Sequence, residues 1–177
     1  MKLFISPHND DETLFGAFTI LREHPLVLIV TDSSRQSAKG ITAFQRRSET
    51  LDAMAVLGVK VEFLGIPDAE LDLPALQDRM NAYLLDLGQV EHIYVPVFEP
   101  NGNFDHNIVA GVEFESTPVT RYLTYTTLGK SRSAVRVPFE KEWPILKLQA
   151  LACYGSQLRE PACLDHFLRE QYEFYEA

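Results

Sequence analysis

The sequence is poor in cysteine, has no long apolar run and carries no excess of positive charge. Two cysteines among 177 residues exclude a framework of disulfides as the basis of the fold. No segment approaches the ~20 apolar residues of a membrane span, and the short apolar start is soon followed by charges, unlike a signal peptide. A net charge of −9 argues against nucleic acid or an anionic membrane surface as a partner. We therefore expect a cytoplasmic protein.

The chain is long enough and apolar enough to bury a core. Its 177 residues fit one domain, and we take residues 1–177 as that domain. Hydrophobic residues make up 46% of the sequence, which is too much for a disordered chain. We find no internal repeat and no low-complexity linker.

Short apolar runs alternate with longer amphipathic segments through the first hundred residues. We predict strands at Lys2–Ser6, Leu26–Thr31, Val61–Leu64 and His92–Val97, and helices at Thr13–Arg22, Phe44–Leu57 and Leu73–Leu87. This alternation predicts an α/β, Rossmann-like fold, with a mostly parallel sheet and helices on both faces. Ligands bind such folds beyond the carboxyl ends of the strands.

The last third of the chain is less regular. The aromatic and β-branched stretch at residues 121–127 predicts a further strand. Residues 142–157 and 164–175 have helical patterns, and Pro161 is placed in the turn between them. An exposed Phe174 or Tyr175 would mark a subunit contact, so the sequence leaves a homo-oligomer open.

An imidazole and three carboxyl groups follow the first predicted strand, at His8, Asp10, Asp11 and Glu12. Like charges held this close repel, and a bound cation removes that cost. Because neighbouring residues point in different directions, one aspartate can bind a metal with His8 while the other faces a substrate water. The structural alternative is that an aspartate caps the helix near Thr13, with Glu12 favoured by the helix dipole.

A second polar segment, residues 101–106, follows the strand at His92–Val97 and therefore lies at the same edge of the predicted sheet. His106 would complete a His/Asp/His set with one open position, as in catalytic zinc sites. Asp105 would orient an imidazole of that set. The alternative is an ordinary helix start, with Asn103 or Asp105 as its cap and His106 exposed.

These two segments resemble the signatures of the LmbE-like, PIG-L-type de-N-acetylases. The family carries Pro-His-Pro-Asp-Asp-Glu after its first strand and His-Pro-Asp-His after a later one. This chain has Pro-His-Asn-Asp-Asp-Glu at residues 7–12 and Asn-Phe-Asp-His at residues 103–106. Further family-like stretches follow in order: residues 31–32, 46–49, 57–59, 63–68, 147–151 and 154–157.

The resemblance implies a zinc hydrolase that removes an acetyl group from an amino sugar or glycoconjugate. It assigns the metal, zinc or another divalent transition ion, to His8, Asp11 and His106. It makes Asp10 the general base and gives Asp105 an orienting role. It also places Arg46 and Asp32 near the substrate. Free amino sugars, glycolipid head groups, thiol glycosides and antibiotic glycans all fit this chemistry.

Two residues depart from the family signatures. Asn9 replaces a proline, which we expect to change only the rigidity of the turn. Asn103 replaces a histidine that helps to stabilise the oxyanion in the family. An asparagine can donate a hydrogen bond to an oxyanion, but it cannot deliver a proton.

Two other functions remain open from the sequence. Asn103 is compatible with a relative that binds a metal or a sugar without hydrolysing it. A receiver-like signalling domain would use the acidic residues for magnesium, Asp68 as phosphate acceptor and Lys130 as its cation, but it gives His8 and His106 no purpose.

Overall fold

The computed structural model describes residues 1–35, 40–124, 133–169 and 171–177. Seven strands of these residues form one sheet: β1 (Lys2–Ser6), β2 (Leu26–Thr31), β3 (Val61–Ile66), β4 (His92–Pro96), β5 (Val119–Tyr122), β6 (Ala134–Arg136) and β7 (Phe174–Glu176). The helices are α1 (Asp11–Glu23), α2 (Ala43–Leu57), α3 (Leu73–Leu87), α4 (Phe104–Ala110), α5 (Trp143–Ala152), α6 (Gly155–Leu158) and α7 (Pro161–Arg169).

The strand order is β3-β2-β1-β4-β5-β7-β6, with β1 to β5 parallel and β7 antiparallel to both of its neighbours. This confirms the predicted α/β, mostly parallel sheet. The chain leaves β1 for β2 on one side and later returns to β4 on the other side. The crevice between the ends of β1 and β4 is therefore the topological switch point, where ligands bind in such folds.

Alternating side chains of the strands pack into two separate hydrophobic cores, one on each face of the sheet. Phe4 and Tyr94 pack with α1, α2 and α5 on one face, whereas Leu3, Ile5 and Ile93 pack with α3 and α4 on the other. Burial on both faces explains why the central strands are almost continuously apolar. Helices thus cover both faces, as the sequence predicts.

The C-terminal predictions needed correction. The helix predicted at residues 142–157 is interrupted, since α5 ends at Ala152 and α6 starts at Gly155. The helix predicted at residues 164–175 is correct only up to Arg169: α7 begins earlier, at Pro161, and Phe174 and Tyr175 belong to β7. These two aromatics are half-buried in the sheet, where Tyr175 pairs with Tyr122 of β5. Residues 125–127 of the predicted strand lie outside the described residues.

A buried ion pair ties the end of the chain to the middle of α1. Lys147 of α5 lies 3.0 Å from Glu173, and both side chains are almost fully buried. The Glu173 carboxylate accepts the backbone N–H groups of Phe18 and Thr19, while Lys147 Nζ donates to the carbonyl of Leu14 at 2.6 Å. The pair is therefore bonded directly to the backbone of α1.

Within the described residues, no helix combines the length and the apolar character that a bilayer crossing requires. The predicted cytoplasmic location and the homo-oligomer stay predictions.

Gly16 lets α1 lie directly on β1. A Cβ atom at this position would lie 2.2 to 3.0 Å from three atoms of the Phe4 ring, which is closer than van der Waals contact allows. Glycine to alanine in a helix usually stabilises a protein by up to ~1 kcal/mol. Here we expect the opposite: overpacking should make Gly16→Ala less stable by about 1–3 kcal/mol in urea unfolding. Unchanged or increased stability would show that α1 can move away from the sheet.

Candidate metal centre and active site

Two loop-to-helix junctions bring the candidate ligands together at the switch point. β1 ends at Ser6 and α1 starts at Asp11, so that His8 lies in the loop and Asp11 in the first turn of the helix. His106 lies in the first turn of α4, which follows β4. Asp11 and His106 are buried, whereas the His8 side chain keeps 18% of its surface exposed.

The three side chains form a small triangle of donor atoms. Asp11 Oδ2 lies 3.0 Å from His8 Nδ1 and 2.9 Å from His106 Nε2, and the two ring nitrogens are 3.2 Å apart. In a tetrahedral zinc site with bonds of ~2.0–2.1 Å, ligand atoms are about 3.3 Å apart. Two imidazole nitrogens this close repel through their lone pairs unless a proton or a cation lies between them. The donor set therefore fits a divalent transition metal.

The carboxylates around His8 shift several pKa values. Burial alone lowers the pKa of His8, but the hydrogen bonds that its ring donates to Asp105 and Asp11 outweigh burial and raise the pKa to about 10, so a metal ion would bind by displacing the proton on Nδ1. Burial raises the pKa of Asp11, but the stronger effect of His106 and His8 keeps the pKa well below its ordinary value. Asp11 thus stays ionised, as a metal ligand must be.

Asp105 contacts the ring of His8 on the side away from Asp11. His8 Nε2 and Asp105 Oδ2 are 3.0 Å apart. The same carboxylate accepts the backbone N–H of Ala69 at 3.0 and 3.2 Å. Asp105 is therefore placed to fix the tautomer in which His8 Nε2 carries the proton and Nδ1 offers its lone pair to a metal.

The Asp10 side chain does not cap α1, although Asp10 occupies the N-cap position. Its Oδ2 instead accepts from Arg46 Nη2 at 2.9 Å, and the residue lines a pocket of about 230 Å³ beside the triangle. Burial raises the pKa of Asp10 to about 7, although Arg46 opposes this shift. A carboxylate with a pKa near neutrality, at the edge of a pocket, suits a general base.

Asn103 is the N-cap of α4. Its Oδ1 accepts the backbone N–H groups of Asp105 at 2.8 Å and His106 at 3.3 Å. The capping alternative considered for this segment is thus correct for Asn103, but not for His106, which is buried in the triangle. Asn103 also lines the pocket. Because Oδ1 is held by the cap, the Nδ2 amide is the group that remains to donate to a ligand.

The two expected substrate contacts differ in position. Arg46 lines the same pocket, but it is 1% exposed, and its guanidinium also bonds Glu49 and Ser156. Asp32 lines a neighbouring pocket of about 120 Å³ instead, and its carboxylate accepts the backbone N–H of Ser34. Roles for both in binding a substrate stay predictions.

Sequence reasoning missed the parts that Asp68 and Asn9 play. Asp68 lines the pocket and accepts the backbone N–H of Ser33. Its carboxylate lies close to the Asp105 carboxylate and to the His8 ring. Its position directly after β3 was the available signal. Asn9 does more than relax the turn, since its buried amide donates to Thr50 and accepts from the Ser33 hydroxyl, both at 2.8 Å. A proline could make neither bond.

The receiver-like alternative loses support from this geometry. It assigned no task to His8 and His106, whose rings lie against each other around the Asp11 carboxylate. Its required cation, Lys130, lies outside the described residues.

The sequence matches the model of a known protein family. The family model PIG-L, described as GlcNAc-PI de-N-acetylase, matches residues 3–114. This range contains both histidine segments and all of the candidate site residues. A search of curated proteins gave no significant match.

Solved structures of low sequence identity share the fold. A triple mutant of a deacetylase of the teicoplanin pathway has a TM-score of 0.80 at 18% identity, over 99% of this chain and 97% of the other. A zinc-inhibited form of teicoplanin deacetylase has a TM-score of 0.75 at 16% identity, over 98% and 96%.

Two further structures share this fold, and one of them is named for a different reaction. N,N'-diacetylchitobiose deacetylase from Pyrococcus horikoshii has a TM-score of 0.69 at 19% identity, over 97% of this chain and 81% of the other. The 4-carboxy-2-hydroxymuconate hydratase GalB from Pseudomonas putida KT2440 has a TM-score of 0.72 at 20% identity, over 96% and 84%. Since a hydratase shares the fold, function must be argued from the site.

Proposed function

Because the chain belongs to the PIG-L family, we propose that it is a metal-dependent hydrolase that removes the acetyl group from an N-acetylated amino sugar or glycoconjugate. One observation carries this proposal: the pocket that contains the Asp10 carboxylate also contains His8, whose ring lies against Asp11 and His106. The proposed base and one corner of the proposed metal-binding triangle, His8, therefore face the same small volume.

His8, Asp11 and His106 would hold the ion, with zinc as the metal that this donor set favours. When bound, such an ion lowers the pKa of a coordinated water and polarises an amide carbonyl. Asp10 would accept a proton from the attacking water on its carboxylate and then return it to the nitrogen of the leaving amine. The net reaction converts the acetamide and water into acetate and a free amine.

The remaining side chains keep this arrangement in place. Asp105 would orient His8 through the contact at Nε2. Arg46 would keep the Asp10 carboxylate turned into the pocket. The Nδ2 amide of Asn103 would donate a hydrogen bond to the oxyanion that forms during hydrolysis, replacing the histidine of the family signature.

Asn103→Asp separates the two tasks of Asn103. The new carboxylate can still cap α4 through one oxygen, so we expect thermal stability to change little. It has no N–H to offer an oxyanion and adds a negative charge, so the kcat for acetate release should fall about 10²–10³-fold. Asn103→Ala is the matched control, since it should also lose about 1 kcal/mol of stability with the cap. Unchanged kcat in Asn103→Asp would remove Asn103 from the mechanism.

The function itself is tested by acetate release from a panel of N-acetylated sugars and glycoconjugates. The protein is first stripped with a chelator and then titrated with zinc and other divalent metals. Because a zinc-inhibited form exists for one relative, the titration should run from less than one equivalent to a large excess. Turnover that appears with the metal and vanishes with the chelator supports the proposal.

Metal binding without acetate release from any substrate would favour the second candidate, a non-catalytic relative that binds metal or sugar. The presence of Asn103 where the family has histidine is the observation behind this candidate. Sugar binding measured by calorimetry on the metal-loaded protein would then identify its ligand.

A further inference from the structure

A fully buried carboxylate lies directly behind the pocket. Glu12, in the first turn of α1, is 0% exposed. One of its oxygens, Oε1, accepts from the hydroxyl groups of Tyr154 and Thr13. The other, Oε2, accepts from the Ser6 hydroxyl at 3.3 Å and from the backbone N–H of Asp10 at 3.0 Å.

Helix-dipole stabilisation does not account for this environment. Among the described residues, no cationic side chain forms an ion pair with Glu12, and burial raises its pKa. The helix dipole stabilises a carboxylate in the first turn only modestly, by less than the removal of its charge from water costs. Full burial of Glu12 therefore points to a specific hydrogen-bonding task.

The task is visible at the peptide group that joins Asn9 to Asp10. The carbonyl of Asn9 accepts from Arg46 Nη2, and the N–H of Asp10 donates to Glu12 Oε2. A buried cation and a buried carboxyl group thus bond the two opposite ends of a single peptide plane. The orientation of this plane is fixed from both sides.

Asp10 needs this support because its backbone is in an unusual conformation. Its φ of 126° lies in a region that residues with a side chain rarely adopt. If the plane rotated towards an ordinary conformation, the Asp10 carboxylate would leave its place beside Arg46 and the pocket. Glu12 does not touch the pocket, so any effect on the reaction would act through Asp10.

We propose that Glu12 is a positioning residue, which holds the Asn9–Asp10 peptide group against Arg46 and so keeps the Asp10 carboxylate directed into the pocket. The proposal rests on the proposed function in one respect, since it assumes that Asp10 is the base. The structural part, that Glu12 fixes this peptide plane, does not depend on turnover.

Two variants of similar size test the role of the acceptor oxygen. Glu12→Gln keeps an oxygen for the Asp10 N–H, and its NH₂ group can donate to the hydroxyl groups of Tyr154 and Thr13. Glu12→Met fills the same space with no acceptor. We expect kcat within about 3-fold of wild type for Gln and a loss on the order of 10–100-fold for Met. In both, KM should change little and metal content should stay at one equivalent.

Hydrogen exchange at the Asp10 amide, followed by NMR, gives a readout that needs no substrate. Exchange should be slow in the wild type and in Glu12→Gln, and at least about tenfold faster in Glu12→Met. Tyr154→Phe is the control for losing a buried hydrogen bond nearby, and it should leave exchange at Asp10 slow. If Glu12→Met does not fold, Glu12→Asp replaces it, because the shorter side chain cannot reach both Tyr154 and the Asp10 amide.

A double-mutant cycle with Arg46→Lys tests whether both residues act on the same peptide plane. The double variant should lose less kcat than the product of the two single fold-losses predicts, because the second substitution removes support from a peptide plane that the first has already released. Equal losses in Glu12→Gln and Glu12→Met, or slow exchange at Asp10 in Glu12→Met, would overturn the proposal. If the wild type has no turnover but exchange behaves as expected, the proposed function fails and the positioning role stands.

Discussion

Asp10→Asn is expected to bind one equivalent of zinc and to release acetate about 10²–10⁴-fold more slowly than the wild type. The amide has the shape of the carboxylate and can still contact Arg46, but it cannot accept the proton of the attacking water. The three proposed metal ligands are unchanged. Metal analysis and acetate release on the same preparation measure both effects.

The matched control for this variant is Asp52→Asn, which makes the same chemical change on the exposed surface of α2. It should retain full activity. If Asp10→Asn lost zinc as completely as a ligand variant does, Asp10 would be a ligand and the division of roles between Asp10 and Asp11 would be wrong.

His106→Ala is expected to lose both the metal and the activity. Two of the three edges of the donor triangle end at His106 Nε2, so its removal leaves only His8 and Asp11. Zinc at 100 times its Kd should stabilise the wild type by about 2.7 kcal/mol, and this gain should disappear in the variant. Thermal unfolding with and without zinc, together with metal analysis, measures the loss.

His24→Asn is the control for this experiment. His24 is exposed at the C-terminal end of α1, with a φ of 46° that asparagine tolerates. The control should bind zinc like the wild type. A His106→Ala protein that still gained stability from one equivalent of zinc would place the metal elsewhere.

The sequence was sufficient for β1 to β4 of the sheet, but not for β6 and β7, and it was sufficient for the meeting of the two histidine segments. The order of strands and helices up to His92 leaves few arrangements, and the end of β1 is then adjacent to the end of β4. The match of both segments to family signatures added the assignment of ligands. The metal roles of His8, Asp11 and His106 nevertheless remain predictions that binding experiments must test.

Other features could not be read from local patterns. The aromatics Phe174 and Tyr175 fit a helix face as well as a strand, and only pairing with β5 and β6 decides for the strand. Whether Asp10 caps α1 or faces a pocket depends on Arg46, 36 positions later in the sequence. Asn9 bonds Thr50 of α2 and Glu12 bonds Tyr154, both far away in the sequence, so single-sequence reasoning missed these contacts.

The Lys147–Glu173 pair is bonded to the backbone of α1, and this limits how far the chain can be shortened. The family match ends at residue 114, and this alone would suggest that the residues beyond it are dispensable. A fragment that ends there would lack both Lys147 and Glu173. These two side chains bond the backbone in the middle turns of α1, the helix that starts at Asp11. The C-terminal residues thus stabilise the helix that begins at Asp11, and their removal would disturb residues far away in the sequence.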